Sequence, residues 1–325
     1  MCTFPSLGPL SSNMDQFQHT HIQVRGLKLH IAQFGSGPKV VLLLHGFPEI
    51  WYTWRHQMIA LGNSGYRVIA PDFRGYGLSD KPNDSETTSF YDLVLDLLGI
   101  LDQLAISKVF LISKDFGTRV ACVFAYLHKE RILGVITLGL PYVPQRPSNS
   151  LGQLLPKGCY VSRWQEVGRA EADFGRFDAK TVVRKIYILF SKNEMPTAEE
   201  NQEILDLVDS STPLPPWLFE DDIAYYGFLY EKSGFQTALQ VPYRSLNEDF
   251  NIRDSIMTHP AMMIMGKDDY SWKFPGVKEC IESGKVKEVI PNLEVILLHE
   301  GSHFVHEQLP QVVNKLILDF LAKNA

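Results

Sequence analysis

The run Val109-Phe-Leu-Ile-Ser-Lys-Asp-Phe-Gly-Thr118 sets an aspartate among small residues, between a stretch that reads as a strand and one that reads as a helix. With Ser113, Gly117 and Thr118 flanking Asp115, this is the pattern of a nucleophile elbow, in which a strained turn lifts one side chain above a sheet and crowding tolerates only small neighbours. The raised residue is a carboxylate. A serine there would mean ester chemistry; a carboxylate attacks an electrophilic sp³ carbon and forms an alkyl-enzyme ester that hydrolysis must then clear. The competing reading of the run is an aspartate that caps the following helix. A second run favours the chemical reading. His45-Gly46-Phe47-Pro48 directly follows an apolar, strand-like run, where a turn can aim a backbone N–H at a developing oxyanion together with the N–H of the residue after the nucleophile. Phe47 and Phe116 would supply those donors; the bland alternative is a plain strand-to-loop exit.

Such groups need a scaffold that brings distant segments to one place. Short β-branched runs alternate with longer helical patterns and no internal repeat is visible, which implies an α/β fold with a mostly parallel sheet. His21 to Gln33 alternates around Gly26 like an antiparallel hairpin, while Lys39 to Leu44 and Arg67 to Ala70 are continuous apolar runs of the kind buried on both faces. Phe90 to Leu104 has apolar residues at helical spacing, Val109 to Ile112 and Ile132 to Leu138 read as strands, and Thr118 to Leu127 reads as a helix. From Pro141 to about Leu246 the character changes to helical stretches rich in aromatics and broken by Pro213, Pro215 and Pro216, as an inserted lid would be. The parallel pattern resumes with Ala261 to Met265 and Leu293 to Leu298 and closes with an amphipathic helix, Gln308 to Ala322. The expected division is a disordered leader over 1–14, a core over 15–140 and 247–325, and a helical cap over 141–246.

Composition narrows the partners. A chain of 325 residues with 45% apolar content can bury a core of that size. A net charge of −6 without any basic run leaves no footprint for nucleic acid or an anionic membrane, so a small uncharged substrate is expected, bound by a monomer or homodimer. Cys2, Cys122, Cys159 and Cys280 form no C-x-x-C pair and read as reduced thiols of a cytoplasmic protein. Met1 to Asn13 lacks the pattern of a signal peptide, no apolar stretch reaches the roughly 20 residues of a membrane helix, and the final Ala-Lys-Asn-Ala is no peroxisomal address.

His45 to Pro48, Trp51 to Gln57, Pro71-Asp-Phe-Arg-Gly-Tyr-Gly-Leu-Ser-Asp-Lys-Pro82 and the elbow, in this order, resemble the soluble epoxide hydrolases of the α/β-hydrolase superfamily, plant ones in particular, from about residue 16 to the C-terminus. The resemblance implies a helical cap, no metal or cofactor, and an acid beside the seventh buried strand. Met265-Gly-Lys-Asp-Asp-Tyr270 offers two such acids; the offset to Gly266 selects Asp269, with Asp268 as its solvated neighbour. Either would hold a histidine in its working tautomer and stabilise its cation. His303, in Glu300-Gly-Ser-His-Phe304, sits where the order nucleophile, acid, histidine places the base, and His299 and His306 beside it read as surface-loop residues. Two lid tyrosines of the family donate hydrogen bonds to the epoxide oxygen, because expelling a bare alkoxide is costly. Tyr160, five residues before Gln165, and Tyr243, just before Arg244, match them, while Tyr142, Tyr187, Tyr225, Tyr226 and Tyr230 read as packing residues. His45, Pro48, Lys114 and Trp164 complete the expected pocket for an apolar or aromatic epoxide.

Two residues depart from the resemblance at the elbow, where the family usually carries histidine before the nucleophile and tryptophan after it. Phe116 keeps the backbone N–H but removes an indole donor, which argues against a haloalkane dehalogenase. Lys114 either pairs with Asp115, lowering its pKa and blunting its attack, or turns its ammonium to solvent; the second is the expectation. Pro242 stands before Tyr243 where the family prefers an aromatic, which could shift the presentation of that tyrosine. The reading is an epoxide hydrolase that forms an aspartyl ester. Its rivals are a cyclase, isomerase or lyase of specialised metabolism on the same fold, and a binding protein disabled by Lys114.

Overall fold

The computed structural model describes residues 16–139, 141, 154–252 and 255–324; the expected leader and Tyr142 lie outside the described residues. The apolar runs become one sheet with the strand order β1-β2-β4-β3-β5-β6-β7-β8. The strands are β1 (Gln18–Val24), β2 (Leu27–Phe34), β3 (Lys39–Leu44), β4 (Tyr66–Pro71), β5 (Val109–Lys114), β6 (Ile132–Leu138), β7 (Ala261–Gly266) and β8 (Leu293–Leu298). β1 and β2 form an antiparallel hairpin in the register His21↔His30, β2 runs antiparallel to β4, and the pairs from β4 through β8 are parallel. The central strands are mostly apolar because helices cover both faces: every residue of β5 and β7 is buried, including Ser113 and Lys114 at the end of β5.

Two helix pairs provide that cover. α1 (Arg55–Asn63) packs with α12 (Pro310–Asn324), and α2 (Phe90–Gln103) with α3 (Gly117–Leu127). Ser89 starts α2 with a capping box, its side chain accepting the Asp92 N–H while Asp92 accepts the Ser89 N–H.

Between β6 and β7 the chain leaves the sheet for α4 (Tyr160–Gln165), α5 (Arg169–Phe174), α6 (Ala179–Phe190), α7 (Glu220–Ser233) and α8 (Gln236–Leu239). Asp178 caps α6 by accepting the Thr181 N–H at 2.7 Å. α6 turns Val182, Val183, Ile186, Leu189 and Phe190 inward and packs on α7. These helices are tied to the sheet-bearing part by the Tyr52 hydroxyl on Asp222 (2.8 Å), the Tyr76 hydroxyl on the Val241 carbonyl (2.8 Å) and Tyr187 stacked on Phe304 (4.4 Å). After β7 come α9 (Val277–Glu282) and α10 (Val286–Val289), and α11 (Val305–Gln308) follows β8.

Two elements differ from the sequence-based expectation. β5 runs two residues further, through Ser113 and Lys114, so the turn begins at Asp115 itself. The expected start of the last helix at Gln308 is replaced by the short α11, after which Pro310 opens α12 with its fixed φ. No described helix is long and apolar enough to cross a membrane.

Candidate active site

Asp115 joins β5 to α3 with φ +50°, a left-handed conformation that a non-glycine residue adopts only where its surroundings impose it. They do so here: the Asp115 carbonyl accepts from both the N–H (3.0 Å) and the hydroxyl (2.7 Å) of Thr118. Opposite the turn lies the loop after β3, which approaches so closely that a Cβ on Gly46 would sit 2.3 Å from the Asp115 Cβ. A Cβ on Gly117 would meet the His45 carbonyl at 2.4 Å. The approach brings the Phe47 N–H to Asp115 Oδ1 at 3.0 Å, and the Phe116 N–H bonds the same carboxylate. Burial alone would raise the Asp115 pKa; His303, Lys114 and the Phe116 N–H outweigh it and hold the group at about 2.

His303 lies between two carboxylates. Its Nε2 is 3.5 Å from Asp115 Oδ2, and its Nδ1 is 3.1 and 3.2 Å from the two oxygens of Asp269. Asp269 is buried where β7 ends and also accepts the Ser271 N–H at 2.9 Å, whereas Asp268 is exposed. Burial and the Lys114 cation favour the neutral imidazole, but Asp269 and Asp115 prevail and raise His303 to about 9.

Tyr160, the first residue of α4, and Tyr243, in the turn Gln240–Arg244, face each other with ring centroids 5.9 Å apart. Trp164 stands edge-on to both at 5.1 and 5.0 Å, and Phe47 to Tyr243 at 5.7 Å. Burial, with Asp115 close by, pushes both phenols well above their ordinary range. The proline before Tyr243 leaves that ring in the same cluster as Tyr160. Tyr187, Tyr225, Tyr226 and Tyr230 are buried in aromatic contacts. Pro48 and Trp164 are buried beside Phe47.

Three expectations are corrected. Lys114 neither reaches solvent nor pairs with Asp115: it ends the central strand β5, where neither face meets water, so its fully buried ammonium lies 3.3 Å from Glu49 Oε1 and 4.5 Å above the Phe304 ring. That places it behind the site rather than on a pocket wall. His45 offers nothing to a ligand, because its Nδ1 donates to the Gly46 carbonyl (2.8 Å) and its Nε2 accepts the Phe73 N–H (3.1 Å). Burial holds it neutral, at about 4. His306 is no surface residue: α11 buries it against Trp54 at 4.9 Å, with Nε2 2.7 Å from the Thr53 hydroxyl.

Sequence reasoning missed Glu49, Glu307 and Tyr270. Glu49 follows the His45–Pro48 motif directly, and an acid next to that turn was the available signal. Its Oε2 accepts the Gly46 N–H at 3.0 Å; burial raises it to about 7 against the pull of Lys114. Glu49, His306 and Glu307 bring three ligand atoms within 4.8 Å, but Lys114 on Glu49 and Arg55 on Glu307 (2.6 Å) already supply the positive charge a metal ion would bring. Tyr270 lies against both His303 and Tyr160.

A sheet of this order, with a strained carboxylate after β5 and a histidine after β8, defines an α/β hydrolase. Residues 39–310 match the α/β hydrolase fold family, and the chain belongs to it. Over 319 residues it is 36% identical to epoxide hydrolase 2 of Siraitia grosvenorii, covering 95% of this chain and 100% of that one. Epoxide hydrolase A of Mycobacterium tuberculosis is 28% identical, with 92% of this chain and 96% of that protein covered. Among solved structures, an epoxide hydrolase from Vigna radiata superposes with a TM-score of 0.88 at 32% identity, covering 95% of this chain and 99% of that one. Potato epoxide hydrolase I does so with 0.84 at 30%, over 94% and 99%. Within the α/β hydrolases the chain is a member of the plant-type epoxide hydrolase family.

Proposed function

We propose that this protein hydrolyses an apolar or aromatic epoxide to a vicinal diol through an ester on Asp115, with the helices of 141–246 acting as a cap. The observation that carries this reading is an ionised, N–H-bonded carboxylate 3.5 Å from a histidine that a second carboxylate backs. Phe47, Phe116 and Trp164 are buried apolar rings, with Trp164 edge-on to Phe47 at 5.9 Å, and their character favours such a substrate.

In the first step an Asp115 oxygen attacks one epoxide carbon as the C–O bond breaks. The bonding pair moves to the epoxide oxygen, which takes a proton through the hydroxyls of Tyr160 and Tyr243; His303, protonated at rest, releases the proton that balances it. Esterification removes the Asp115 charge, one of the two carboxylates that raise His303, while the Lys114 cation remains. The imidazole thereby becomes the neutral base that the second step needs. Water deprotonated at Nε2 attacks the ester carbonyl carbon, and the oxyanion develops on the carboxyl group to which the Phe47 and Phe116 N–H groups already bond. Collapse of this intermediate breaks the bond from the carbonyl carbon to the substrate oxygen; the leaving alkoxide takes the proton still held by the added water oxygen, which releases the diol, returns Asp115 to its carboxylate and leaves His303 protonated as at rest. The binding-protein alternative rested on Lys114 disabling Asp115, and the contact of Lys114 with Glu49 removes that ground.

The test is a single turnover in ¹⁸O water with enzyme in excess over a stilbene oxide. The expected result is unlabelled diol with label in the Asp115 peptide. Labelled diol with an unlabelled peptide means direct attack by water and overturns the ester mechanism; no diol across a panel of epoxides overturns the activity.

A further inference from the structure

Tyr270 follows Asp269 without an intervening residue, yet the two side chains leave the turn in different directions. Asp269 reaches His303 Nδ1, while the Tyr270 hydroxyl lies 3.1 Å from the Tyr160 hydroxyl. The Tyr270 ring is 1% exposed and wedged between His303, at 4.9 Å between centroids, and Phe190, at 5.1 Å. Among the described residues Tyr160 is the hydrogen-bond partner of its hydroxyl.

That single contact decides which hydroxyl donates. A buried hydroxyl hydrogen left without an acceptor is costly. If Tyr160 donated to Tyr270, the Tyr270 hydrogen would point into aromatic packing. If Tyr270 donates, its own hydrogen is satisfied and the Tyr160 hydrogen stays free for another acceptor.

We infer that Tyr270 is a positioning residue that donates its hydroxyl hydrogen to Tyr160 and thereby aims the Tyr160 O–H at the epoxide oxygen. This rests on the reading of Tyr160 as a proton donor proposed above. As the epoxide C–O bond breaks, its electron pair moves onto the epoxide oxygen, which takes the Tyr160 proton. Negative charge then gathers on the Tyr160 oxygen, until the proton released by His303 replaces the one given up. The Tyr270 O–H donates to that oxygen throughout, and a hydrogen bond to a charge-bearing acceptor is stronger than one to a neutral acceptor. The contact is therefore worth more in the transition state than in the bound substrate, the condition for accelerating a step. In the same sense, donation from Tyr270 opposes the burial that makes Tyr160 a reluctant acid. One short turn after β7 thus orients the base through Asp269 and the acid through Tyr270.

The experiment is rapid mixing with a fluorescent epoxide, which separates ester formation from ester hydrolysis, on the wild type, Tyr270→Phe, Tyr160→Phe and the double variant. Phenylalanine keeps the ring and removes only the donor. Tyr270→Phe is expected to slow ester formation about tenfold, to leave ester hydrolysis within about twofold, and to have no further effect in the Tyr160→Phe background, because a residue acting through another is silent once that other is gone. Ester formation at the wild-type rate in Tyr270→Phe overturns the inference. So does equal slowing of both steps, which marks a merely structural role beside Asp269, or an undiminished effect in the Tyr160→Phe background. If Tyr160→Phe itself forms the ester at full rate, the reading of Tyr160 fails and the inference falls with it. A variant carrying 3-fluorotyrosine at position 270 keeps both ring and hydroxyl and makes the O–H a stronger donor; it is expected to form the ester at least as fast as the wild type, and a slower rate counts against the inference even if Tyr270→Phe fails to fold.

Discussion

At the scale of single residues, the charge on His303 must differ between the two steps, and two neighbours pull it in opposite directions. Asp115 raises it and Lys114 lowers it. Removing the first by Asp115→Asn leaves a neutral amide in place of a carboxylate 3.5 Å from Nε2. The His303 pKa is then expected to fall from about 9, which an NMR titration of the imidazole reads directly. An unchanged value would mean that Asp115 is not what raises it. Turnover should drop by roughly 10³-fold or more, since no nucleophile remains. Lys114→Met acts with the opposite sign. Without the buried cation His303 holds its proton more tightly, less neutral base is present at pH 7, and ester hydrolysis is expected to slow about tenfold. Ester formation, which needs an ionised Asp115 and a protonated His303 and keeps both in this variant, should change less. Stopped-flow resolution of the two rates tests this; equal slowing would show that Lys114 serves the fold and not the base.

Among the elements, the elbow and the loop after β3 are the contact on which the site depends. A methyl group at position 46 would have to occupy space held by the Asp115 Cβ at 2.3 Å and Glu49 Oε2 at 2.6 Å. Gly46→Ala is therefore expected to cost about 1–3 kcal/mol in urea unfolding and to lower activity by more than that loss explains, because the Phe47 N–H moves off Asp115; full activity with wild-type stability would refute the close approach. This pairing also marks how far the sequence could be read. β3, β5, β7 and the Asp115 turn were legible because parallel strands buried on both faces appear as uninterrupted apolar runs. The end of β5 was not, because a lysine closes the run and its partner Glu49 lies 65 positions earlier. His306 and Glu307 stand in a polar stretch that reads as loop, and only the packing of α11 on Trp54 and Arg55 turns it inward. Tyr270 could be read as the neighbour of an acid, but its contact with Tyr160 spans 110 positions and exists only once the helices between β6 and β7 lie against the sheet.

For the whole molecule, these local charges add up to a stability that depends on pH in a definite way. His19, His45 and His56 are each lowered to about 4, chiefly by burial. The unfolded chain therefore binds more protons than the folded one below pH 6.5, and stability falls as pH drops from there towards 4. Glu49, raised to about 7 by burial, works the other way between about 4.5 and 7, as do the raised carboxyls of Asp96, Asp173 and Glu307, but burial also lowers His128, His259 and His306, and the histidines together outweigh the carboxyls. On the alkaline side His303 is raised to about 9, so its contribution is complete below 6.5 and is lost as pH rises through 9; by linkage this amounts to about 3 kcal/mol. Asp115, lowered from 3.8 to about 2, adds stability that is complete above 3.8 and is lost as pH falls from there through 2. Stability should thus peak near pH 6.5 and decline on both sides, which urea unfolding between pH 5 and 9 can measure. Asp115→Asn separates the two limbs: it removes one of the carboxylates that raise His303, so the alkaline decline should become shallower while the acid decline persists. If the alkaline limb keeps its full slope in that variant, the loss of stability belongs to some other group, and the resting imidazolium between two carboxylates is not what holds this site together.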